Sequence, residues 1–136
     1  ARGKIIYGDS SGDPAALTVG GAGTALTSNG TDISWGVAGT AWQAVVTSAT
    51  TMVAGRGYFV NTTSSAFTMT LPASPSIGDA IKIIDYAGTF DSNTCTIGRN
   101  SQKIAAASAD MTVTTERAGL ELVFTDSTQG WLLTEK

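Results

Sequence analysis

After Thr40 the apolar and polar residues of this chain alternate with period two, the signature of strands with one buried face. In Ala66-Phe67-Thr68-Met69-Thr70-Leu71 the apolar Phe67, Met69 and Leu71 face one way and the threonines the other. Pro72 and Pro75 end that strand, because proline has no N–H to give to a ladder. Residues 79–86 read as the next strand, buried on at least one face. Residues 118–125 and 130–135 predict a closing hairpin across Asp126-Ser127-Thr128-Gln129-Gly130, whose side chains favour a turn. Weaker strands are expected over 41–47, 56–61, 94–97 and 111–115. The one helix-friendly stretch, 104–109, is too short and uncapped to be more than a loop or a single turn. Short strands separated by Gly, Asp, Asn and Pro predict an all-β domain over residues 41–136, an antiparallel, jelly-roll-like β-sandwich.

Residues 1–40 break that pattern. Strand-like pieces at 4–7, 15–19 and 32–35 are separated by turn material: Gly8 to Pro14, Gly20-Gly21-Ala22-Gly23 and Ser28-Asn29-Gly30. The large apolar residues are few and far apart, so the sequence predicts an extended N-terminal arm without a core of its own. Fully extended, forty residues reach on the order of 100 Å. Such an arm gains stability only by docking, and Ile5, Ile6, Tyr7, Leu17, Leu26, Ile33, Trp35 and Trp42 are the candidate anchors. Trp35 and Trp42 bracket the break and are expected to fix the arm to the domain or to another chain, while Trp131 is expected in the core. The heptad Gly20 to Leu26 is echoed at Gly36 to Trp42, a Gly/Ala-rich motif suited to close chain approach.

The 136 residues carry a net charge of −3, and only 14 % of them are charged, against roughly 25 % in ordinary globular proteins. The eight Lys and Arg are scattered singly, which argues against nucleic acid as a partner. No apolar run approaches the ~20 residues of a membrane-spanning helix, so no membrane insertion is expected. Nor does the start carry an apolar stretch long enough for a signal peptide. Ala1 is the kind of residue left when an initiator Met is trimmed, and the chain reads as a complete product made in a cytoplasm. The single Cys95 rules out an internal disulfide framework and reads as a small apolar strand residue.

No histidine is present. That removes Ser-His-Asp and Cys-His catalysis and the usual zinc sites, so neither a catalytic residue nor a cofactor or metal is predicted. Two-carboxylate glycoside hydrolysis stays formally open through Asp85 and Asp91, which flank Tyr86 and Phe90. The plainer reading is two acids at the end of a strand and in its loop. Asp9-Ser10-Ser11-Gly12-Asp13 has half the ligands of a calcium loop and no closing Glu, so it reads as a capped turn before Pro14. Gly21-Ala22-Gly23 begins like a dinucleotide fingerprint but lacks its third glycine and its helix. Asn61-Thr62-Thr63 matches a glycosylation acceptor, which carries no meaning without secretion.

Ile6-Tyr7-Gly8-Asp9-Ser10-Ser11-Gly12-Asp13-Pro14, with Leu17-Thr18-Val19-Gly20 and the run Leu26 to Trp35, resembles connector segments of tailed-bacteriophage tail fibres. The remainder resembles the small β modules found at fibre ends, through Ala41 to Val45, Gly57 to Thr62, Leu71 to Pro75, Asp85 to Phe90 and Gly130-Trp131-Leu132. The resemblance implies a non-enzymatic virion structural protein, made in the host cytoplasm and commonly a homotrimer, that contacts other virion proteins. It transfers no functional residue. Tail fibres carry shafts of many repeats, whereas this chain has one connector phrase. A short fibre or tail appendage for host attachment is therefore weighed against a capsid decoration protein that clamps neighbouring subunits. A third alternative is a carbohydrate-binding module that recognises a host surface glycan. An enzyme such as a depolymerase is the least favoured.

Overall fold

The computed structural model describes residues 3–135. All regular structure among them is β, and the chain divides between Gly39 and Thr40 into two compact units.

The N-terminal unit is two antiparallel hairpins. β1 (Ile5–Gly8) pairs with β2 (Pro14–Leu17), and β3 (Thr24–Ser28) with β4 (Ile33–Val37). The segment therefore folds back on itself twice, where an extended arm was expected. Its turns explain why. The Asp9 carboxylate accepts the N–H groups of Ser11 and Asp13 at 2.9 and 3.1 Å, and Asn29 Oδ1 accepts those of Thr31 and Asp32 at 2.9 and 2.7 Å. Gly12 and Gly30 supply the positive φ that each loop requires. Side-chain capping of this kind closes a hairpin with no help from a core.

Among the described residues the C-terminal unit holds nine strands: β5 (Ala41–Trp42), β6 (Thr50–Thr51), β7 (Arg56–Val60), β8 (Phe67–Thr70), β9 (Ala80–Asp85), β10 (Cys95–Gly98), β11 (Met111–Val113), β12 (Gly119–Phe124) and β13 (Trp131–Glu135). They form a five-stranded sheet, β13-β12-β9-β7-β5, and a four-stranded sheet, β11-β10-β8-β6. From β5 to β10 the chain alternates between the two, so strands two apart in sequence lie side by side. Each such pair is parallel: β5 with β7, β7 with β9, β6 with β8, β8 with β10. Only then do the hairpins β10-β11 and β12-β13, and the β9-β12 pair, run antiparallel. The sandwich is present, but the expected antiparallel, jelly-roll-like pairing is corrected to mixed sheets. A parallel pair needs a crossover of about a dozen residues or more, and here each crossover is a strand of the opposite sheet.

One core fills the space between the sheets. Tyr58, Val60, Ile81, Ile83, Leu120, Leu122, Phe124 and Trp131 come from the larger sheet, and Met69, Cys95 and Ile97 from the smaller. Met52, Leu71, Phe90 and Ile104 enter from connecting segments. Met69 and Leu71 sit at the inward positions their alternation predicts, and Trp131 is fully buried against Phe124. Residues 104–109 form no helix; Ile104 instead bridges to Trp131 and pins the loop.

Candidate functional site

Seven of the eight candidate anchors lie in the N-terminal unit. Cross-strand partners share a face, so Ile5 and Leu17 meet on one side of the first hairpin with Tyr7 and Ala15, all half-buried. Ile6 points the other way and is 68 % exposed. In the second hairpin Leu26 opposes Trp35, and Ile33 and Val37 lie on the same face. The Trp35 indole N–H donates to the Thr18 carbonyl at 2.7 Å. Its ring rests on Gly20, where an added Cβ would come within 2.6 Å of Cγ. Trp35 therefore ties the second hairpin to the end of the first. Among residues 3–39 none is buried, while Ile6, Val19, Leu26 and Val37 are exposed.

Trp42 belongs to the sandwich. It lies on β5 at the edge of the five-stranded sheet, on that sheet's outer face. The indole covers Gly57, where a Cβ would stand 2.5 Å from Cε3, and stacks on Phe59 with ring centroids 4.8 Å apart and an interplanar angle of 22°. Even so, 44 % of the residue remains in solvent.

The two candidate acids part company. Asp85 ends β9 at an inward position and is only 2 % exposed. Its Oδ1 accepts the N–H groups of Gly88 and Thr89 at 2.9 and 3.3 Å, and its Oδ2 those of Phe90 and Arg117 at 3.3 and 3.0 Å. The Arg117 guanidinium crosses back to the Tyr86 carbonyl at 3.2 Å. A buried carboxylate with four backbone donors is a clasp for two loops, and neither oxygen is left for a substrate. Asp91 is exposed and accepts the neighbouring Ser92 hydroxyl. Among the described residues no group of three His, Cys, Asp or Glu is placed to hold a metal. In the closing turn the N–H groups of Gln129 and Thr128 hold the Asp126 carboxyl below its ordinary value.

Cys95 lies in the core, where burial pushes its thiol up to about 12 and the Asp85 charge acts in the same direction. Because the folded value lies above the ordinary 9.0, the native protein holds this proton more tightly than the unfolded chain. The associated stability is complete below pH 9 and is lost as pH rises from there toward 12. Urea midpoints should fall above pH 9 more steeply in the wild type than in Cys95→Ala. A thiol reagent at pH 8 should label Cys95 only in the unfolded protein. Rapid labelling of the native protein would contradict the burial.

No protein-family model matches this chain, and no curated protein matches it. Trp42 stands out in the sequence, but its surroundings do not. Gly57 clears the sheet surface for the indole, and Lys82 and Glu121 follow in the same lateral row, on strands far apart in sequence. Chain alternation alone carries no trace of that row.

Proposed function

We propose that this chain is a non-enzymatic structural component of a tailed-phage particle, a short fibre or tail appendage. Its N-terminal hairpins are held by the particle and its β-sandwich is displayed. The single observation that carries the reading is the contrast between the units: no described residue before Thr40 is buried, while the sandwich owns the whole core. Hairpins that leave Ile6, Val19, Leu26 and Val37 in water gain stability from whatever covers those side chains. The tail-fibre resemblance of residues 6–35 supplies the context, and the occupied carboxylate of Asp85 weakens the glycosidase alternative.

Deleting residues 1–39 should leave a sandwich that unfolds cooperatively with nearly the full-length midpoint, since no core residue is removed. The same deletion should abolish incorporation into particles. Incorporation at full occupancy would overturn the held-segment reading. Quantitative mass spectrometry of particles separates the two structural roles: a few copies fit an appendage, and hundreds would make this a capsid decoration protein.

A further inference from the structure

The outer face of the five-stranded sheet carries a feature that virion assembly does not require. Register places Trp42, Gly57, Lys82 and Glu121 side by side across β5, β7, β9 and β12. With strands roughly 4.8 Å apart, the backbones of Trp42 and Glu121 stand about three strand spacings apart, and the indole, lying over Gly57, reaches across the first of them. Two glycines shape what lies between. Gly57 lets the indole lie down on the sheet, and Gly119, paired with Ile84, leaves an apolar floor without a side chain. The result is a pocket of about 180 Å³ bounded by Trp42, Lys82, Ile84, Gly119 and Glu121.

Its polar rim is oriented. Lys82 Nζ lies 3.7 Å from Glu121 Oε1, and the Thr134 hydroxyl donates to Glu121 Oε2 at 3.0 Å. The indole covers Gly57 and stacks on Phe59, and 44 % of the residue stays in solvent.

The geometry points to a binding site for a single pyranose unit of a neutral carbohydrate. The apolar C–H face of the sugar lies on the indole of Trp42, and its hydroxyls donate to Glu121 and accept from Lys82. Three properties select this class. A flat, half-exposed aromatic ring suits a sugar with an apolar face. A neighbouring cation and anion that already neutralise each other favour an uncharged ligand bridging both, because an ionic ligand would meet one like charge. The volume falls below the roughly 300–1,000 Å³ of pockets that enclose drug-sized molecules, so one ring fits and affinity rests on few contacts. The site belongs to the sandwich alone and stands whether or not the chain is a particle component.

The test is an NMR titration of the full chain. The Trp42 indole N–H signal is followed while methyl β-D-glucopyranoside, methyl β-D-galactopyranoside, N-acetylglucosamine and their β-linked oligomers are added. At least one should give saturable shifts with a millimolar Kd, on the order of −4 kcal/mol. The decisive variant is Gly119→Val. Nothing lies within 4 Å of a Cβ added at Gly119 and its φ is unstrained, so a branched side chain there projects into the pocket. It should weaken binding at least tenfold with an unchanged unfolding midpoint, and Trp42→Ala, followed through the backbone amides of Lys82, Gly119 and Glu121, should abolish binding. No saturable shift at tens of millimolar with any of these sugars overturns the proposal. Equal binding by wild type and Gly119→Val overturns it too. Concentration-dependent broadening of the Trp42 signal with dimer or trimer in sedimentation would assign the face to a second copy instead, and would also overturn it.

Discussion

Asp85→Ala should destabilise the sandwich by about 3–5 kcal/mol, read as a lowered urea midpoint at unchanged m-value. The side chain is 2 % exposed and accepts four backbone N–H groups, from Gly88, Thr89, Phe90 and Arg117. Alanine removes every acceptor at once. Each unpaired, partly buried donor costs about 1–3 kcal/mol, with incomplete additivity because the loops relax together. Arg117 adds strain, since it holds φ 57°, a left-handed conformation that only outside contacts maintain in a non-glycine residue. Asp85→Asn keeps the shape and one acceptor oxygen but turns the other into a donor facing N–H groups. It should recover only part of the loss. Full stability in Asp85→Ala would mean that the loops hold themselves, and the clasp would be an accident of packing.

A second large effect is expected at Gly130. A Cβ there would stand 2.0 Å from the Lys103 carbonyl oxygen and 2.5 Å from its carbon, and φ is +74°. The obstacle is backbone, so no rotamer change relieves it. That same carbonyl accepts the N–H of Trp131 at 2.9 Å, the fully buried tryptophan that starts β13. Gly130→Ala must either part the Lys103 segment from β13 or lift Trp131 out of the core. The left-handed φ alone costs about 1–2 kcal/mol, and loss of the Trp131 packing brings the total to about 4 kcal/mol or more. Gly78→Ala is the control. Its φ of +87° is similar, but nothing lies within 4 Å of the added carbon, so it should cost only the backbone strain. Equal midpoints for the two variants would show that backbone overlap at Gly130 is not what matters.

β8, β9, β12 and β13 fall within a residue or two of their alternating stretches, because a half-buried strand writes its two faces into the chain. The two-residue β6 was not legible, since Thr50 and Thr51 are too few to show a period. Parallel pairing was not legible either. Alternation says which side chains are buried but not which strand lies alongside or in which direction. In the N-terminal unit the turns at Asp9 and Asn29 were legible from their side chains, but Thr24–Ser28 was not legible as a strand and neither was the pairing that makes two hairpins, because no buried face marks them.

An all-β protein, the inward positions of Met69, Leu71 and Trp131, and a leading segment too poor in large apolar residues to bury them all follow from the order of residues. Those are consequences of local composition and of a period fixed by strand geometry. The alternation of consecutive strands between two sheets, the role of Asp85 as a clasp, and the row of Trp42, Gly57, Lys82 and Glu121 come from the folded arrangement alone. Each of these depends on which distant strands are hydrogen-bonded neighbours. That choice is settled by how the whole core packs between the two sheets.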